Sequence, residues 1–146
     1  MKKQFAQKLL YFLLVFIQFG LVIAVFVVNY LTGIKAGVYR HVYTRRMHYM
    51  EGLYNPTSIQ WQSLFVACLC ILLFILMFFA IKKRVNLFYK VQIALAILLS
   101  FFVFVVMNSQ FFVAMMAYPY IIIVFESVLA IQLIIVIALS LKRSKQ

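Results

Sequence analysis

The sequence predicts an all-α integral membrane protein, built as a four-helix transmembrane bundle with an amphipathic outer segment between spans one and two. Of its 146 residues, 68% are hydrophobic and 11% are charged, and the mean hydropathy is +1.10. Soluble domains average about 45–50% apolar and about 25% charged residues. A chain of this size cannot bury so much apolar surface in a water-soluble core. The lipid bilayer is therefore the expected solvent, and residues 1–146 are expected to form a single four-span domain.

The predicted spans cover about residues 9–31, 61–81, 91–116 and 120–141. Each reaches the roughly 20 residues that a bilayer-crossing helix needs. The first run exceeds the apolar region of about 7–15 residues in a signal peptide, so we interpret it as a retained span. Asn55-Pro56 is typical of an N-cap and first helical residue leading into span two, and Pro119 suits the first turn of span four.

The basic residues predict the orientation of the spans. The chain has 14 Lys and Arg against two acids, and the bases flank apolar runs, where anionic lipid headgroups lie. Membrane contact, rather than nucleic-acid binding, is expected. Four bases occupy the long loop 32–60, and ten occupy the other three segments outside the spans. Lys and Arg accumulate on the cytoplasmic side, so we predict a multi-pass plasma membrane protein with both termini cytoplasmic. The ten are Lys2, Lys3, Lys8, Lys82, Lys83, Arg84, Lys90, Lys142, Arg143 and Lys145.

The outer loop 32–60 carries an amphipathic pattern that predicts a helix ended by Gly52. One interpretation is a helix lying on the membrane surface with its bases toward the headgroups. The other is a surface for a partner or an anionic ligand formed by Arg40, Arg45 and Arg46, in which Arg45-Arg46 bind phosphate or carboxylate. No metal site is predicted, because His41 and His48 are about two helical turns apart and lack other ligands. The apolar residues at helical spacing are Val38, Tyr39, Val42, Tyr43, Met47 and Met50.

Glu126 is the single acid inside the predicted spans, where a carboxylate is costly and usually marks a functional or packing site. Gln110 on span three is expected at the same depth, roughly 10 Å below the outer surface, so it is the expected neighbour. Asn29 near the outer end of span one completes a predicted polar patch. Asn108 points about 200° away from Gln110. Gln110 belongs to a polar and small stripe on span three: Gln92, Ala96, Ser100, Val103, Met107, Gln110, Ala114 and Ala117.

Two states of Glu126 follow from this pattern. In the first, a neutral acid bonds to Gln110 and fixes helix association. In the second, the carboxylate pairs with Arg45, with Arg46 or with a base supplied by a partner protein.

The functional hypothesis is a non-catalytic accessory or partner-binding subunit of a membrane complex. Its partners would be the lipid bilayer and either another membrane protein or a second copy of the chain. The alternative is a small oligomeric transporter or channel that uses Glu126 as its coupling acid. An enzyme acting on lipid-linked phosphate ranks last, because no nucleophile or base accompanies Arg45 and Arg46. No catalytic residue and no cofactor are predicted. The residues expected to mediate partner or helix association are Glu126, Gln110, Asn29 and Asn108.

Overall fold

The computed structural model describes the backbone of residues 2–144 and the side chains of residues 9–141. The basic side chains near the two ends, on which part of the orientation argument rests, lie outside the described side chains. The described chain is all-α and forms a four-helix transmembrane bundle, as the sequence predicts. Its helices are α1 (Lys2–Thr32), α2 (Ala36–Glu51), α3 (Pro56–Lys82), α4 (Leu87–Asn108), α5 (Gln110–Val113) and α6 (Tyr118–Ser144).

Four helices are long and apolar enough to cross a membrane, which identifies a multi-pass membrane protein. The spanning segments are Leu9–Thr32, Pro56–Lys82, Leu87–Asn108 and Tyr118–Leu141. The second begins five residues before the predicted boundary, because Asn55 caps it. The Asn55 side-chain oxygen accepts a 2.7 Å hydrogen bond from the Ser58 N–H, and Pro56 occupies the first turn. This confirms the Asn55-Pro56 prediction.

The third span ends at Asn108, well before the predicted end at Met116. The Asn108 side chain donates a 2.9 Å hydrogen bond to the Phe104 carbonyl, and Ser109 adopts an extended backbone (φ −83°, ψ 125°). The Ser109 carbonyl then accepts from the Phe112 and Val113 N–H groups, which starts the short helix α5. Polar side chains that bond to the backbone compete with helix continuation. Hydropathy alone did not reveal this break, because the apolar run continues through it.

Helix α6 is central to the bundle. It packs against α1 and α4, and α4 also packs against α3. Ala96 and Ser100 of α4 are fully buried, and such small residues let helices approach closely. The predicted stripe is confirmed from Gln92 to Met107, but the break at Ser109 leaves Gln110 and Ala114 exposed.

Helix α2 forms the predicted amphipathic segment and lies against α1 and α6. Val42 faces the bundle and is 2% exposed, whereas Arg40 and Arg45 are exposed. The helix ends at Gly52, whose N–H donates to the Tyr49 carbonyl. We call the end of the bundle that carries this helix the α2 end.

Candidate functional site around Glu126 and helix α2

Glu126 lies on α6 about two turns from its start, and its partner in the chain is Tyr54. The Tyr54 hydroxyl donates a 3.0 Å hydrogen bond to Glu126 Oε2. The expected pairing of Glu126 with Gln110 is wrong. The break at Ser109 moves Gln110 out of the buried stripe of α4, and its side chain is exposed at the start of α5.

Tyr54 is held in place by the turn between α2 and α3. Its N–H donates a 2.9 Å hydrogen bond to the Tyr49 carbonyl, and its ring packs edge-on against the Tyr49 ring at 6.3 Å. Asn55, the next residue, caps α3. The Tyr54 side chain is therefore fixed between two anchored helices and is only 7% exposed.

The electrostatics of the pair keep Tyr54 as a hydrogen-bond donor. Burial, followed by the negative charge and the hydrogen bond of Glu126, raises the pKa of Tyr54 well above its usual value of 10.0. An ionised phenol beside a carboxylate would place two like charges together out of water. Tyr54 consequently remains a protonated hydroxyl throughout the physiological pH range.

Glu126 is half-buried at the edge of the protein core. Ile122 and Leu129, on one side of it along α6, are buried, whereas Ser127 and Ala130 on the other side are exposed. Among the side chains that the structure describes, Tyr54 supplies a hydrogen bond to Oε2, and Oε1 receives none. The carboxyl group thus faces both the core and the lipid-exposed surface.

Arg46 has a different role from the one expected. Its Nη1 donates to the Met115 carbonyl at 3.0 Å, and its Nη2 donates to the Val113 carbonyl at 3.2 Å. The guanidinium group satisfies carbonyls between α5 and α6 and clamps α2 to that turn. Arg46 therefore does not pair with Glu126.

The exposed side of α2 carries a basic groove of about 680 Å³. We call this cavity the basic groove, and it is lined by Gly37, Met47 and six polar residues. His41 and His48 share the groove, about two turns apart. The polar lining residues are Arg40, His41, Thr44, Arg45, His48 and Glu51.

The residues of the predicted polar patch do not bond to one another. The Asn29 side-chain oxygen accepts from the Ala117 N–H at 3.4 Å and ties α1 to the start of α6. Asn108 bonds to its own helix and is exposed. Asn29, Gln110 and Glu126 therefore do not form one hydrogen-bonded set.

Sequence reasoning missed Tyr54 and Gln132. Gln132 is 2% exposed, and its Nε2 donates to Gln92 Oε1 at 2.8 Å and to the Gln92 carbonyl at 3.1 Å. Gln18 Nε2 of α1 lies 3.5 Å from Gln132 Oε1, so three amides connect α1, α6 and α4. Burying an amide side chain without a hydrogen-bond partner is costly. An amide inside an apolar run was therefore the sequence signal that could have identified Gln132. No comparable signal distinguished Tyr54 from the other tyrosines of the outer loop.

Comparison with known proteins returns no match: no family model, no curated protein and no solved structure corresponds to this chain. The hydrogen bonds, charges and cavities of the molecule itself carry the functional proposal.

Proposed function

We propose that this protein is a non-catalytic accessory subunit of a membrane complex and binds a second membrane protein through the surface of α6 around Glu126. One observation carries the proposal: the half-buried Glu126 carboxyl binds Tyr54 through Oε2, while Oε1 has no hydrogen bond among the described residues. The neighbouring positions Ser127 and Ala130 on α6 are exposed. A donor from a neighbouring helix can reach Oε1 there.

The cost of an acid inside a bilayer supports an intermolecular contact. Carboxylates within spans are usually paired or face a protein interior. Hydrogen bonds between transmembrane helices contribute about 0.6 kcal/mol on average and about 1–2 kcal/mol in model peptides. A basic or amide side chain on the partner would offset the remaining desolvation of Glu126, and such a contact selects one helix orientation.

Other predicted association residues divide into two groups. Asn108 and Gln110 are exposed at the α2 end. The Asn108 side-chain N–H bonds to its own helix, so the Gln110 amide is the group proposed to extend the contact. Asn29 bonds within the chain, and its role is association of α1 with α6. The proposed location is the plasma membrane, with the α2 end outside and both termini cytoplasmic, in keeping with the distribution of Lys and Arg.

The native size of the complex tests the proposal. The tagged chain is extracted from its own membranes in a mild detergent, and its mass is compared with the 17.1 kDa of one chain. We expect the wild type to run with a stoichiometric membrane partner and Glu126→Leu to release it. Tyr54→Phe should retain the partner, because it keeps the carboxyl group. Glu51→Leu, which removes the other acid from exposed α2, is the matched control.

Two outcomes would contradict the accessory function. One is a wild-type chain that runs alone as a monodisperse monomer. The other is a complex that survives Glu126→Leu unchanged. A proton-coupled flux in liposomes that disappears in Glu126→Gln would instead support the transporter alternative.

A further inference from the structure

An apolar recess lies beneath α2 at the membrane boundary, in the angle between α1, α2 and α6. Its volume is about 500 Å³. The residues from α1 and α6 that line it belong to membrane-spanning segments, so the recess is at the level of hydrocarbon. Its polar side chains are His41 and Tyr120. The apolar lining includes Leu21, Val25, Val28, Val38, Val42 and Val124.

The apolar recess joins the basic groove of α2 through two shared residues. Gly37 and His41 line both cavities. A Cβ atom at Gly37 would meet no atom within 4 Å, so there is open space beside this shared residue. Both volumes fall within the roughly 300–1,000 Å³ of small-molecule sites. The molecule therefore has a basic, water-facing groove that borders an apolar, membrane-level recess.

The charges of the basic groove select an anion. The guanidinium groups of Arg40 and Arg45 have no hydrogen bond or ion pair with the other described side chains, whereas Arg46 is occupied by backbone carbonyls. Guanidinium groups match phosphate oxygens with two parallel hydrogen bonds. Glu51 lines the groove at the C-terminal end of α2, so its charge directs an anion toward Arg40 and Arg45.

We propose that α2 holds one anionic phospholipid of the surrounding bilayer, with its phosphate between Arg40 and Arg45 and an acyl chain in the apolar recess. A free phosphate or an acidic peptide would fill the basic groove and leave the recess unused. A membrane lipid has both required parts, and it reaches the site from the bilayer. The inference is independent of the partner contact at Glu126, because none of the residues that line the two cavities contacts that carboxyl group by a hydrogen bond.

Native mass spectrometry of the delipidated full chain in mild detergent tests this site. The probes are phosphatidylglycerol, phosphatidylcholine with the same acyl chains, and glycerol phosphate as the headgroup alone. We expect one phosphatidylglycerol per chain, bound about tenfold more tightly than phosphatidylcholine. Glycerol phosphate should bind far more weakly than the lipid, because it buries no hydrocarbon.

Three variants separate a specific site from general attraction of lipids to a basic protein. Arg40→Gln with Arg45→Gln should weaken phosphatidylglycerol binding about tenfold or more. Lys82→Gln with Lys83→Gln removes the same charge from exposed positions at the opposite end and should leave binding unchanged. Gly37→Trp should block the junction while the helix content and the elution volume of the chain stay those of the wild type, because the position is open.

Each of the following results would overturn the proposal. Equal loss of binding in the two double variants would indicate attraction by net charge alone. Wild-type affinity in a folded Gly37→Trp variant would exclude the apolar recess. Glycerol phosphate binding as tightly as the intact lipid would show a phosphate site without a lipid tail.

Discussion

The Tyr54 hydroxyl donates a 3.0 Å hydrogen bond to Glu126 Oε2, which joins the turn between α2 and α3 to the central helix α6. Through this bond, the one acid of the membrane spans is connected to the segment that lies outside them. Tyr54 is in turn fixed by Tyr49 of α2 and by the start of α3 at Asn55. The position of Glu126 therefore depends on how α2 is seated on the bundle.

Replacing Tyr54 by Phe removes this hydrogen bond and keeps the aromatic ring. We expect the free energy of unfolding in detergent to fall by about 1–2 kcal/mol, because a hydrogen bond to an acidic group is lost in a partly buried site. Thermal unfolding followed by circular dichroism measures the change. Tyr43→Phe, at an exposed position of α2, is the control and should show no comparable loss.

The same pair predicts how stability depends on pH. Because the pKa of Tyr54 is raised in the folded state, its contribution is fully present below the unfolded pKa of about 10 and decreases as pH rises further. Denaturant unfolding should therefore show a steeper loss of stability above about pH 10 in the wild type than in Tyr54→Phe. Parallel curves for the two proteins would contradict the assignment.

Arg46→Ala should loosen the contact between α2 and the turn that precedes α6. The Met115 and Val113 carbonyls would lose their guanidinium donor, at a cost of about 1–2 kcal/mol. Hydrogen exchange should increase in α5 and at the start of α6. Lys35→Ala is the control, since the Lys35 side chain makes no capping hydrogen bond at the start of α2. Unchanged exchange in Arg46→Ala would show that the clamp does not stabilise the fold.

Gln132→Leu should weaken the contact between α4 and α6. The variant leaves the Gln92 side-chain oxygen without its 2.8 Å partner, and interhelical hydrogen bonds of this kind contribute about 0.6–2 kcal/mol. Thermal unfolding in detergent is the measurement. Ser127→Ala, which removes a hydroxyl bonded within its own helix at an exposed position of α6, should leave the unfolding temperature close to that of the wild type.

Much of the fold followed from local sequence signals. The apolar runs predicted four spans. Asn55-Pro56 predicted the start of α3 and Gly52 predicted the end of α2, because these capping signals act within a few residues. The small residues of α4 also predicted its buried face as far as Met107. The break at Ser109 escaped prediction, since hydropathy registers neither the Asn108 side-chain bond to the Phe104 carbonyl nor the extended backbone of Ser109.

The candidate site was less accessible from sequence. The cost of an acid in a span identified Glu126, but its partner came from a turn distant in sequence, and periodicity within spans says nothing about where a turn residue folds. The sequence also did not predict that Arg45 and Arg46 have different roles. Adjacent residues on a helix point about 100° apart, so Arg46 reaches the carbonyls beside α6 while Arg45 lines the exposed basic groove.

Site-specific photocrosslinking from α6 tests the central claim most directly. A photoreactive amino acid is placed at exposed Ala130, one turn after Glu126, and in a second protein at exposed Leu98 of α4. In native membranes, we predict a discrete adduct with a second membrane protein from position 130 and none from position 98. The adduct should disappear when Glu126→Leu is added. An adduct from position 130 that persists in Glu126→Leu, or equal labelling from both positions, would contradict association through the Glu126 surface.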